Sequence, residues 1–324
     1  MKLAILSDIH YAGAAEQKRE GYPLSHINNP LQRAAVHHYR KYFWHRDPFA
    51  HNYLLDEFIA RAPGSALVVA NGDYSCDSAA IGVADDAAFE SARECLEKLR
   101  RAFAGNFEAV VGDHEIGKKA LGSGEGGLRL ESFGRLQTEL SLKPFWTRQI
   151  EGRILLGVTS TLIALPVYAA EAIHQELPMW EELRSQHLHR IREFFKGLSR
   201  DQRVVLFCHD PTALPFLWRE AAVREKMNQI ERTVIGHLHS RLIFFKSRLL
   251  AGMPIIGFLG HTPKRLSRAL REARHWKPFN VLLCPSLSGI QLLKDGGFYT
   301  VDFKAPSGKL EFVWNPLPWS KPKH

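Results

Sequence analysis

The stretch Leu3-Ala4-Ile5-Leu6-Ser7-Asp8-Ile9-His10 sets the reading of the whole chain: four apolar residues in a row, followed at once by a carboxylate and an imidazole. An apolar run this short, bounded by polar residues, has the length of a buried strand, and such a strand hands its next polar groups to a loop at its carboxyl end. The pattern recurs. Leu67-Val68-Val69-Ala70 ends at Asn71-Gly72-Asp73, and Glu108-Ala109-Val110-Val111 ends at Gly112-Asp113-His114-Glu115. Val204-Val205-Leu206-Phe207-Cys208 ends at His209-Asp210-Pro211, and Thr233-Val234-Ile235 at Gly236-His237-Leu238-His239. Between these runs lie helical patterns: Phe89, Ala92, Leu96, Leu99 and Phe103 share one face, as do Leu188, Ile191, Phe194 and Phe195. Strands alternating with helices predict an α/β fold. Further strand patterns at Arg153–Val158, Gly297–Asp302 and 309–313 are assigned to a second sheet, so the architecture expected is two packed β-sheets flanked by helices, an α+β sandwich.

With 324 residues, 45% apolar and 24% charged, the chain has the averages of a globular protein, which excludes a disordered, collagen-like or coiled-coil one. A single domain over residues 1–324 is expected, because no repeat, low-complexity tract or Pro/Gly-rich linker divides it. No apolar run reaches the roughly 18 residues that a membrane span needs. The start, Met1-Lys2-Leu3-Ala4-Ile5-Leu6, is too short for a secretory leader and has no small-residue cleavage site, so a cytoplasmic protein is the expectation. Cys76, Cys95, Cys208 and Cys284 stand apart without a CxxC pair. They predict neither a disulfide framework nor a thiolate zinc site, and read as small core hydrophobes. Forty-three Lys and Arg against 34 Asp and Glu give a charge of +9 with His neutral, a field that favours phosphorylated substrates, nucleic acid or anionic lipid.

Ligands bind outside the carboxyl ends of strands in open α/β sheets. Here five such ends supply Asp8, His10, Asp73, Asp113, His114, His209, His237 and His239. Taken singly, an Asp at a strand end is ordinarily a helix cap or turn former, and an isolated His a hydrogen-bonded structural residue. Taken together, carboxylate oxygens and imidazole nitrogens form a donor set suited to first-row transition metals, and eight groups exceed the needs of one ion. His237 and His239 flank a single residue, so an extended segment turns both the same way. Two ions about 3.5–4 Å apart that share a carboxylate would present a bridging hydroxide for in-line attack at phosphorus.

The ordered blocks Asp8-x-His10, Gly72-Asp73, Gly112-Asp113-His114-Glu115, His209 and Gly236-His237-x-His239 resemble the calcineurin-like metallophosphoesterases. The resemblance implies a four-layer fold, a β-sandwich of mixed sheets with helices outside, and a hydrolase of phosphoester or pyrophosphate bonds. It implies two divalent ions, manganese ahead of iron or zinc. One would be held by Asp8, His10, Asp73 and His239 and the other by Asp73, Asp113, His209 and His237. His114 is then the catalytic residue that touches the phosphate or protonates the leaving oxygen, with Glu115 as an orienting group. Two positions depart from the family's pattern. Asp113 stands where the family has Asn, which ligates through its oxygen and donates an N–H, whereas a carboxylate only accepts and adds a negative charge. Two divalent ions, three carboxylates and one hydroxide then balance to a neutral site instead of a singly positive one. Asp77 lies one residue further from Asp73 than the family spacing and is read as a cap.

Substrate selection is expected from two inserts. Residues 31–62 carry Arg40, Lys41 and Arg46 among aromatic residues, cations suited to a polyanionic substrate; the same segment also fits a solvated helix with one packed face. Residues 241–276 include Arg265, Arg268, Arg271 and Arg274 at every third position, with Leu266, Leu270 and Ala273 alongside and Trp276 at the end. Over 263–276 this reads either as a surface helix packed by its leucine face or as a peripheral contact with an anionic membrane at its inner face. The partners expected are a phosphorylated small molecule or a nucleotide- or lipid-linked substrate such as UDP-diacylglucosamine, whose hydrolases belong to the same superfamily. The alternatives are a nuclease acting on DNA or RNA, in line with the basic charge, and a non-catalytic scaffold, in line with Asp113.

Overall fold

Among the described residues, ten strands pair into two five-stranded sheets. They are β1 (Lys2–Leu6), β2 (Leu67–Ala70), β3 (Phe107–Ala109), β4 (Phe145–Ile150), β5 (Arg153–Val158), β6 (Arg203–Cys208), β7 (Ile230–Ile235), β8 (Val281–Leu283), β9 (Gly297–Asp302) and β10 (Phe312–Pro316). The computed structural model describes residues 1–19, 24, 27, 29–64, 66–120, 125–256, 261–303 and 310–319, with backbone alone at 261–263. The first sheet has the order β10-β9-β1-β2-β3 and the second β4-β5-β6-β7-β8. Both are mixed. β1, β2 and β3 run parallel, with β9 and β10 antiparallel beyond them; β5 to β8 run parallel, with β4 antiparallel at the edge.

Period-two alternation makes the sandwich. Leu3, Ile5, Leu67 and Val69 point from the first sheet into one apolar cluster with Trp146, Leu155, Val205, Phe207 and Val234 of the second. Ala4, Leu6, Val68 and Ala70 point the other way and join the helices' apolar faces, as do Leu156, Val158, Val204 and Leu206. The result is helix, sheet, sheet, helix, because each sheet is apolar on both faces and needs a cover on each. The helix Asp86–Ala102 shows the local logic: Asp85 caps it by accepting from the Ala88 N–H, Ala88, Phe89, Ala92, Cys95, Leu96 and Leu99 bury one stripe, and Arg100 and Arg101 end it at the negative pole of its dipole. The helix Leu177–Lys196 covers the second sheet, with Phe194 and His187 edge-on to Phe145 of β4.

Two-sheet architecture follows the sequence pattern, but the partition of strands does not. The pattern groups Arg153–Val158 with the two tail strands, whereas β5 pairs with β4 and β6, and β9 and β10 extend the first sheet beyond β1. Alternation reports which side chains are buried; it leaves no mark of a partner some 300 residues away, as when Lys2 sits opposite Asp302. β4 and β8 carry no strong strand pattern. The tail strand begins at Phe312 rather than at 309, and Lys309 lies outside the described residues.

The inserts are helical. The first holds helices Pro30–Tyr42 and Tyr53–Arg61, and the second Arg241–Leu249 and His261–Glu272. Leu270, Ala273 and Trp276 turn inward, and Trp276 stacks on Phe244. The tryptophan that suggested a membrane-facing element is a core residue. Among the described residues no helix is long and apolar enough to cross a membrane.

His187 marks a pH-sensitive point of this packing. It is buried, its Nε2 accepts the Thr159 N–H at 3.2 Å, and burial followed by the nearby Arg190 charge depresses its pKa from 6.5 to about 3. The unfolded chain therefore takes up a proton that the folded chain refuses, and stability falls as pH drops from 6.5 toward 3. His187→Gln, which keeps an acceptor, should flatten the stability–pH slope of the protein by up to one proton, about 1.4 kcal/mol per pH unit, across that window. Urea titrations of both proteins between pH 4 and 7 measure it, and equal slopes would contradict the assignment.

Candidate metal centre

The carboxyl ends of β1, β2, β6 and β7, with the turn after β3, meet at one edge of the sandwich. There Asp8, His10, Asp73, Asp113, His209, His237 and His239 come together with His114. Three sets of donors converge within 4.8 Å: Asp73, Asp113, His209 and His237; Asp8, His10 and His239; His10, Asp73 and His114. His209 Nε2 lies 3.2 Å from both Asp73 Oδ2 and Asp113 Oδ1, and His237 Nδ1 lies 3.1 Å from Asp113 Oδ1. His239 Nε2 lies 3.4 Å from Asp8 Oδ1 and 3.2 Å from His10 Nε2.

The backbone is bent into an unusual conformation to do this. Asp8, His10, Asp73, His237 and His239 have φ of 50°, 48°, 60°, 62° and 57°, the left-handed region that residues with a side chain seldom adopt. Hydrogen bonds between strand ends hold them there: Asp8 N–H to Gly72 O, Ile9 and His10 N–H to Asp73 O, and Gly236 N–H to His209 O. Close approach requires glycine at two neighbouring positions. A Cβ on Gly236 would lie 2.1 Å from Ser7 Oγ and 2.5 Å from Asp8 Oδ2, and one on Gly112 would lie 2.2 Å from Asp73 Oδ1.

The partners around the cluster orient its lone pairs inward. His209 Nδ1 donates to Asn71 O at 2.6 Å and His10 Nδ1 to Ser75 O at 3.3 Å, which turns each Nε2 toward the cluster. A backbone carbonyl behind an imidazole is the usual support of a metal-binding histidine. Asp8 accepts the His237 N–H with both oxygens, at 2.9 and 3.1 Å, and the Ser7 hydroxyl at 2.5 Å. Asp73 Oδ2 is buried against His209 Nε2 at 3.2 Å, and His239 Nδ1 is buried without a hydrogen bond among the described residues. Ring nitrogens and carboxylate oxygens turned inward, with a buried His239 nitrogen that has no hydrogen bond, fit metal ions.

Burial, then the unfavourable approach of His114, lowers the His10 pKa to about 4, and burial lowers that of His114 to about 4. Burial, then His10, holds His239 well below its ordinary value, so these three rings are neutral and available as ligands. Burial raises Asp8. For Asp73 and Asp113 burial acts upward too, but His114 and His209 around the first and Lys118 and His237 around the second outweigh it, and both stay ionised. Burial opposes a charge on His209 and His237, yet Asp73 and Asp8 raise the first and Asp210 and Asp113 the second. Without ions, the cluster balances itself with internal His–Asp pairs.

Beside the cluster lies a cavity of about 350 Å³, lined by His10, His114, His237 and His239. Arg40 from the first insert and Lys118, Lys119 and Arg265 add cations; Ile9, Ile27, Val36, Pro48 and Ala80 add apolar wall. Of the three cations expected to meet substrate, Arg40 lines the cavity. The Lys41 ammonium instead lies over the Tyr42 ring, and Arg46 is exposed with its N–H on Gln291. Asp77 accepts the Gly82 N–H at 2.8 Å across a turn, while the N-cap position of the short helix Gly82–Ala84 is Ile81. Glu115 clamps the site from behind, accepting the N–H groups of Gly112, Asp73 and Tyr74 at 2.9, 3.1 and 2.7 Å.

Sequence reasoning missed Lys118 and Asp210 and put Arg265 in the wrong place. Lys118 Nζ lies 2.7 Å from Asp113 Oδ2. Burial works against its charge, but Asp113 and Asp73 outweigh that and raise its pKa. Asp210 takes the Tyr168 hydroxyl and lies 3.9 Å from His237 Nε2. Arg265 Nη1 reaches Glu171 at 2.6 Å, so it belongs to the cavity wall and not to the outer basic stripe. Asp210 follows a ligand directly and was in plain view; Lys118 and Arg265 come from a loop and an insert whose position no local pattern reveals.

A sandwich of mixed sheets with a carboxylate–imidazole cluster at a shared strand edge defines a metal-binding α/β protein. Residues 1–241 match the calcineurin-like phosphoesterases, and the chain belongs to that family. Among solved structures it is similar to a phosphopantetheinyl hydrolase from Mycobacterium tuberculosis, at 14% identity over 74% of this chain and 83% of that one, with a TM-score of 0.36. No curated protein sequence matches it.

Because three backbone N–H groups converge on Glu115, its exchange for an amide should be felt. Glu115→Gln sets an NH2 against one of those donors and should destabilise the metal-free protein by about 1–3 kcal/mol. Denaturant unfolding measures it; a change within about 0.5 kcal/mol would show that the clamp is dispensable.

Proposed function

We propose that this protein hydrolyses a phosphoester or pyrophosphate bond of a small phosphorylated molecule, using two divalent ions. One ion would be held by Asp8, His10, Asp73 and His239 and the other by Asp73, Asp113, His209 and His237. The observation that carries the reading is the pair of donor sets, Asp8/His10/His239 and Asp73/Asp113/His209/His237, with Asp73 beside both through His10. Mixed oxygen and nitrogen donors suit manganese, iron or zinc. When bound, such ions polarise the phosphoryl oxygen and activate the attacking water.

The chain's own residues do the rest. Arg40, Lys118, Lys119 and Arg265 draw the phosphate into the cavity and neutralise it, while Ile27, Val36 and Pro48 offer an apolar wall to the remainder of the substrate. His114, 13% exposed beside Asp73, donates an N–H to the phosphate or to the leaving oxygen. Packing around the cluster limits water to what the cavity admits. A second reading, a nuclease, draws on the net charge of +9 and on Arg268, Arg271 and Arg274, which are exposed along one insert.

The test is turnover of an aryl phosphate, an aryl phosphodiester and a nucleoside diphosphate sugar with manganese. Turnover that is lost on chelation and falls at least about 100-fold in His237→Ala supports the reading. Turnover indifferent to chelation and to His237→Ala overturns it. For the nuclease, DNA or RNA binding must weaken steeply with salt; a flat response removes that reading.

A further inference from the structure

Asp113 stands where the resemblance read from the sequence implies asparagine, and its carboxylate is divided between two environments. Oδ1 faces the cluster, 3.2 Å from His209 Nε2 and 3.1 Å from His237 Nδ1. Oδ2 faces Lys118 Nζ at 2.7 Å. Asp113 is 3% exposed and Lys118 26%, and the lysine lines the cavity with His114 and His237. The cation therefore stands between the buried carboxylate and the space that admits substrate.

An asparagine at this place supplies an oxygen to a metal and an N–H to substrate from one neutral group. We infer that Asp113 and Lys118 act as a pair in place of that amide, with Asp113 Oδ1 as the ligand oxygen and Lys118 Nζ as the donor that meets a phosphoryl oxygen. An ammonium has three N–H groups, so one can stay on Asp113 Oδ2 while others face the cavity. Charge points the same way. The extra carboxylate alone would bring a two-ion site to neutrality, and Lys118 returns it to a single positive charge, suited to a phosphate dianion. An ammonium also brings a full positive charge to the phosphate, which a neutral amide N–H does not. Lys118 also positions Asp113, since holding Oδ2 leaves only Oδ1 for the cluster.

This inference rests on the proposed two-ion reading, and the test separates the two. Lys118→Met, Asp113→Asn, the double variant and Lys118→Arg are each followed by thermal melting, manganese titration and kcat and KM on an aryl phosphate. Lys118→Met should lower kcat/KM by about 100-fold, largely through KM, with manganese still bound. Asp113→Asn leaves the ammonium unpaired beside the ions and should weaken manganese binding by about 10-fold or more. The double variant restores an amide and should come back to within about 10-fold of the parent in both readouts, far from the product of the single losses. Lys118→Arg keeps the charge and should stay closer to the parent than Lys118→Met. Multiplicative losses in the double variant, or a Lys118→Met protein that melts and turns over like the parent, overturn the inference. A parent that binds manganese without turnover overturns the hydrolase reading instead, and recovery of manganese affinity in the double variant then still decides whether the two residues form a pair.

Discussion

The site depends on one constraint: strand ends from two different sheets must meet at one edge with the chain turned left-handed at five acidic or histidine positions. Asp8, His10, Asp73, His237 and His239 all have positive φ, and each such residue costs on the order of 1 kcal/mol or more. Packing and inter-strand hydrogen bonds hold that conformation. Asp8, Ile9 and His10 donate to carbonyls at the end of β2, and Gly236 donates to His209, so each sheet fixes its own ligands. Register then becomes function. A shift of one residue in β1 against β2 would move Asp8 and His10 to the wrong side of Asp73.

Electrostatics explains why so much charge is tolerated in a buried place. Asp8, Asp73 and His209 are fully buried, and such groups are costly unless paired. Two carboxylates stay ionised because imidazolium and ammonium groups surround them, and three imidazoles stay neutral because burial disfavours their charge. The same arrangement offers lone pairs to cations. Asp113 and Lys118 belong to this balance as much as the histidines do.

Much of this was legible in the sequence because the strand-end blocks are local: an apolar run and then a ligand, with a glycine directly before it at Asp73, Asp113 and His237. Gly236 and Gly112 precede His237 and Asp113 since a Cβ there would collide with Asp8 and Asp73. Strand partition was not legible, because β9 and β10 join β1 from the far end of the chain. The cavity wall was half legible. Arg40 could be named from composition, but a helical segment carries cations on every side, and only its packing separates Arg40 from Lys41 and Arg46. Trp276 was open to two readings, on a packed helix or on a membrane-facing one, and the fold turns it inward.

The most direct measurement is a calorimetric manganese titration of the metal-free protein and of its Asp73→Ala variant. Asp73 lies in one donor set and borders the other through His10. The account predicts two ions per chain in the parent and the loss of both high-affinity events in the variant. A single ion in the parent, or a variant that loses one event and keeps the other unchanged, would contradict a shared centre.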